Sequence, residues 1–71
     1  MGLASLEIVM KVEDSFGIRM LKSEVEKITT VGDFHDATWQ HLSARYNNEI
    51  NRNEMEIIIN QIISDIAGLD I

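Results

Sequence analysis

The chain has 71 residues, 12 Asp and Glu against 6 Lys and Arg, a net charge of −6, and neither Cys nor Pro. That length allows one domain, and a domain of ~60 residues buries only about 60% of the surface its unfolded chain exposes. The composition excludes a disulfide framework and a thiolate metal centre. The negative field opposes a nucleic-acid backbone and attracts a basic patch on another protein.

Apolar runs are only a few residues long, far short of the ~18 that cross a bilayer, so no membrane partner is expected. No basic stretch leads into an apolar one at the N-terminus, which argues against secretion. The expectation is a cytoplasmic, all-α single domain over residues 1–71.

The first helix is predicted over residues 2–17. Leu3, Leu6, Val9, Met10, Val12 and Phe16 fall on one arc at 3.6-residue spacing, with Ile8 at its edge. Glu7, Lys11 and Asp14 share the opposite side, Glu7 to Lys11 in the favourable i,i+4 order. Gly17 then closes the helix, at a position whose positive φ penalises any β-carbon. Past the apolar residues Ile18, Met20 and Leu21, Ser23 with Glu26 reads as a capping box for a short helix over residues 24–28.

Thr30 caps the next helix, and Asp33 helps to hold its free first-turn amides. Val31, Phe34, Thr38 and Leu42 define its inner line, with Tyr46 alongside. His35 lies close to that line, where it could carry a proton or bind a ligand beside Asp36 or His41. A lone His among apolar neighbours more often packs there with a hydrogen bond satisfied, and Trp39 reads as a cover for the core's edge.

The stretch NNEINRN, residues 47–53, has four Asn in seven residues and reads as the connection. Asn51 or Asn53 caps the last helix, Glu54 and Glu56 standing at capping-box spacing from them. That helix is predicted from about Arg52 to Ala67, with its stop at Gly68. Met55, Ile58, Ile59, Ile62, Ile63 and Ile66 form its apolar stripe, and Glu56, Asn60, Gln61, Ser64 and Asp65 lie away from it. Ile is a middling helix former, so this helix depends on burying the stripe.

The strings LEIVMKVEDSFGI and EKITTVGD carry a resemblance. Residues 6–33 look, without a gap, like the second half of an acyl carrier protein. In that family a helix of the form VELVMxxEEEFGI follows the Asp-Ser-Leu that bears 4'-phosphopantetheine. A short helix ending in EKI and a final helix opening on TVGD come next. The family usually has Pro and an acid where this chain has Leu21 and Lys22. The tail IINQIISDIAGLD resembles the family's first helix, which places that helix last.

The resemblance implies an acyl-carrier-like four-helix bundle, three helices long and one short, in circularly permuted order. Residues 2–46 would be carrier helices two to four, residues 47–53 the linker, and residues 54–68 the replacement for helix one. Seven linker residues reach about 23 Å, and a helix of ~16 residues is about 24 Å long. An antiparallel return gives a monomer; otherwise the tail enters a neighbour and gives a helix-swapped homodimer.

Aligned without a gap, the family's modified serine falls on Gly2 and its Asp on Met1, and neither has a hydroxyl to attack the pyrophosphate of coenzyme A. Ser5 is the alternative, in a string resembling Gly-x-Asp-Ser-Leu with Ala4 in place of Asp. The resemblance allows two readings. In one, Ser5 holds the arm and Glu7, Lys11, Glu13 and Asp14 dock acyl-transferring or acyl-activating enzymes. In the other, the chain is a protein-interaction module that keeps the carrier fold without the attachment. No nucleophile–base pair, glycine-rich phosphate loop or metal spacing points to an enzyme.

Overall fold

The computed structural model describes residues 5–46 and 51–68, with the side chains of all but Arg45 and Tyr46. These residues form four helices: α1, Leu6–Phe16; α2, Lys22–Glu26; α3, Val31–Tyr46; and α4, Arg52–Ala67. Among the described residues the secondary structure is entirely helical. Leu3 and the linker residues 47–50 lie outside the described residues, as does the Tyr46 side chain.

Helix α1 opens at Leu6, four residues later than the sequence pattern predicts. Ser5 is extended (φ −65°, ψ 154°) and is the N-cap, its Oγ accepting from the Ile8 N–H at 3.4 Å. The helix ends as expected, with Gly17 left-handed at φ 65°. The Ile18 N–H reaches back to the Glu13 carbonyl at 3.0 Å, the long bond of a Schellman stop.

The buried face of α1 is Ile8, Val9, Val12 and Phe16, so Ile8 is central rather than marginal. Leu6 and Met10 are instead 75% and 57% exposed. At about 100° per residue they lie about 120° and 160° round from Val12, outside any arc centred on it.

The α2 cap also differs from expectation. Leu21, not Ser23, is the N-cap, and its N–H donates to Glu24 Oε1 at 3.0 Å. Only the Glu24 half of a capping box forms there, since a leucine side chain accepts no hydrogen bond. The chain turns earlier because Met20 and Ile28 are both buried in the core, fixing where the intervening turn fits.

Helix α3 begins with the expected reciprocal cap. The Asp33 N–H donates to Thr30 Oγ1 at 3.0 Å, and Asp33 Oδ2 accepts from the Thr29 and Thr30 amides and from the Thr29 hydroxyl. These donors hold the Asp33 carboxyl below its ordinary pKa, the Thr29 bonds contributing most. Phe34, Thr38 and Leu42 are buried as the inner line, with Val31 packed partly against the core.

Asn51 caps α4, its Oδ1 accepting from the Asn53 N–H at 2.6 Å, and Gly68 ends it at φ 71°. Arg52 and Asn53 therefore belong to the helix rather than to the linker. Met55, Ile59, Ile62 and Ile63 are buried, and Ile66 packs partly against the core. Ile58, expected in the stripe, is 38% exposed.

Helix α4 packs against α1 and α3 of its own chain. Its contacts with α3 run from Arg52 with Asp36 and Trp39 to Asn60 with His35. The N-terminal half of α4 thus meets α3 around residues 35–39 of its own chain. The Cα radius of gyration is 11.1 Å, matching the ~11 Å of a compact chain this long.

Candidate functional site

The solvent face of α1 is the complement of its buried one. With Val9, Val12 and Phe16 turned inward, Glu7, Lys11 and Asp14 are left exposed along the other side. An open groove borders this face. Its apolar lining is Met10, Ile18 and Ile66, and its charged lining is Glu7, Glu13 and Asp14 with Lys11 and Arg19. The groove thus joins α1, the segment after Gly17 and the C-terminal part of α4.

Glu13 sets the shape of one side. It is only half exposed, and its Oε2 accepts from the Met20 N–H at 2.7 Å. With the Glu13 carbonyl already holding the Ile18 N–H, one residue fastens the strap over residues 17–20 twice. The carrier resemblance places Glu13 among docking acids, and the sequence gives no sign of this strap, because the amide it holds lies beyond the helix stop. The free carboxylates on the face are therefore chiefly those of Glu7 and Asp14.

Ser5 stands at the head of the same helix and is exposed. Its oxygen accepts the Ile8 amide through a lone pair, which leaves the O–H proton outside that bond. Ser5 does not line the groove. Met1, Gly2 and Ala4, which bear on the alternative alignments of the serine, lie outside the described residues.

The histidines are placed elsewhere. His35 Nε2 is 2.8 Å from Asn60 Oδ1, which fits the proton on Nε2, and Nδ1 is 3.9 Å from Glu56 Oε2. The packed and hydrogen-bonded histidine expected from sequence is found, with α4 rather than Asp36 or His41 supplying its partners. Arg52 extends this seam, reaching Asp36 at 2.5 Å and Glu56 at 2.9 Å with its guanidinium 6.0 Å from the Trp39 ring centroid. His41 Nε2 bonds Glu24 Oε2 at 2.7 Å and so ties α2 to α3. None of these inter-helix pairs can be read from sequence spacing, since each joins different helices.

Among the described residues no group of three or more His, Cys, Asp or Glu side chains is arranged to hold a metal ion. No described helix is long and apolar enough to cross a membrane.

The described residues form an all-α arrangement of four helices with an acidic first helix bordering a groove. No family model, curated protein or solved structure matches the chain.

Proposed function

We propose that the protein is an acyl-carrier-like domain, its order permuted, which presents a group attached at Ser5 and docks acyl-transferring or acyl-activating enzymes through α1. The observation that carries this reading is the exposed hydroxyl of Ser5 at the N-cap of the helix that bears the resemblance. The acids of that helix then stand beside the attachment point. The packing of α4 against α1 and α3 supports the view that α4 takes the place of the carrier family's first helix.

Ser5 fits a phosphopantetheine arm in one testable respect, since it is exposed and the bond from the Ile8 amide does not use its O–H proton. When bound, that arm supplies the acyl-bearing group. Attachment needs the Ser5 oxygen to attack the coenzyme A pyrophosphate, forming a phosphodiester as adenosine bisphosphate leaves and the hydroxyl proton passes to a base on the transferase. Glu7 and Asp14 speed encounter with a basic enzyme surface, and partial exposure of the contact keeps affinity modest enough for release.

A second reading is favoured by Ala4, which stands where the resemblance calls for Asp. In it the domain is an interaction module that uses the same α1 face with no arm. Mass spectrometry after incubation with a phosphopantetheinyl transferase and coenzyme A separates the two. A mass increase in the wild type that is absent in Ser5→Asp supports the carrier, and Asp is chosen because it keeps the cap. No increase leaves the interaction module.

A further inference from the structure

Helix α4 carries isoleucine on two sides. The inner side, Ile59, Ile62 and Ile63, makes the core. Ile57 and Ile58 face outward, 58% and 38% exposed. With Glu54, Gln61 and Asp65, all exposed, they occupy positions i, i+3, i+4, i+7 and i+11 of one helix face. Folding does not account for Ile at 57, because an exposed helix position is served better by Lys, Glu or Leu.

The charges on this face have one sign. Glu54 and Asp65 bracket the two isoleucines, and Lys and Arg are absent from the stripe. The one cation of α4, Arg52, is engaged by Asp36 and Glu56. Gln61 Nε2 donates to Asp65 Oδ1 at 2.8 Å, which holds that carboxylate in place and leaves its other oxygen to a partner.

We infer that this outer face of α4 docks a cationic amphipathic helix of a partner protein. The inference goes beyond the carrier reading and does not rest on it, since neither Ser5 nor α1 takes part. Apolar residues of the partner cover Ile57 and Ile58 while its Lys or Arg residues meet Glu54 and Asp65. Eleven residues at 1.5 Å separate those acids by about 16 Å along the axis, so the partner needs about three turns. A second copy of this chain is a poor occupant, because two-fold pairing sets acid against acid with no base between and each copy carries −6. Anionic lipid and nucleic acid meet the same repulsion.

The probe is a 15-residue Leu/Lys amphipathic helical peptide, with a Leu/Glu peptide of the same pattern as control. Titration into the ¹⁵N-labelled full chain is expected to give micromolar binding of the Leu/Lys peptide alone. Amide shifts should cluster between Glu54 and Asp65. The double variant Ile57→Gln, Ile58→Gln should abolish that cluster and weaken binding about tenfold or more at unchanged Tm. Should Ile58→Gln unfold the chain, Ile57→Gln with Asp65→Lys makes the same test on more exposed positions. Shifts confined to the Glu7–Asp14 side of α1, equal binding of the Leu/Glu peptide, or unchanged affinity in the variants would overturn the inference. So would a dimer in sedimentation that Ile57→Gln dissolves, which would assign the face to a second copy.

Discussion

Helices α2 and α4 are held in place by opposite means. In α2 no residue is buried, and its fastenings are polar: the Leu21 N–H on Glu24 Oε1 and the His41 imidazole on Glu24 Oε2, with Val25 packed partly against the core. In α4 four residues are buried and two neighbouring helices are contacted. A hydrogen bond that replaces one to water nets about 1 kcal/mol, whereas burying an Ile side chain is worth about 1.5–3 kcal/mol. The fold therefore stands on α4 and tolerates movement of α2.

The strongest way to break this comparison is to cut the anchor. Ile63→Ala, at a fully buried position, should cost about 2–5 kcal/mol in urea unfolding followed by circular dichroism. In a domain whose whole stability is about 5–10 kcal/mol, that loss is a large fraction of the total and lowers the urea midpoint accordingly. A loss below about 1 kcal/mol would mean that α4 does not hold the core.

Among the described residues the core that receives α4 contains one unmet polar group. Thr38 is fully buried on α3, and its Oγ1 has no hydrogen-bond partner among them. Replacing the hydroxyl by a methyl removes the desolvation cost, so Thr38→Val should stabilise by about 1 kcal/mol, read as a higher urea midpoint at unchanged slope. Destabilisation instead would show that the hydroxyl finds a partner in solution.

The ends of the helices were largely legible in the sequence, and their faces only in part. Gly17 and Gly68 stop helices, the Thr30–Asp33 pair starts one and Asn51 starts another, because each such signal is completed within a few residues of itself. Which arc turns inward depends on neighbours that periodicity does not know. Leu6 and Met10, apolar but turned far from Val12, and Ile58, at the edge of its stripe, are exposed because α1 and α4 pack around Val12 and Ile59. The site shows the same division. The exposure of Glu7 and Asp14 could be read from sequence, whereas the second use of Glu13 and the partners of both histidines join parts of the chain that only folding brings together.

The head of α1 sharpens the comparison at a smaller scale. Ser5→Ala removes the Oγ that accepts the Ile8 amide, and at 3.4 Å that bond is long, so the expected cost is about 0.5 kcal/mol, the low end for an N-cap. Ser5→Asp should restore stability while remaining unmodifiable. The pair of variants thus separates loss of the cap from loss of an attachment point in any assay of the protein.

The smallest effect is expected at α2, and it is the one that tests the polar half of the comparison. Glu24 is held below the usual glutamate pKa, first by the Leu21 amide and then by His41. A depressed folded-state pKa means that the carboxylate's contribution is complete above the unfolded value, about pH 4.3, and is lost as pH falls through the lower folded value. Acidification over that window should therefore release α2 amides to hydrogen exchange before α4 amides. Glu24→Gln should reproduce the release at neutral pH, because a neutral amide accepts more weakly from both Leu21 and His41. Global Tm should move little, as α2 buries no residue and the core beneath it is closed by α4. If Glu24→Gln lowered Tm as far as Ile63→Ala, the two helices would belong to one cooperative unit and the division drawn between them would fail.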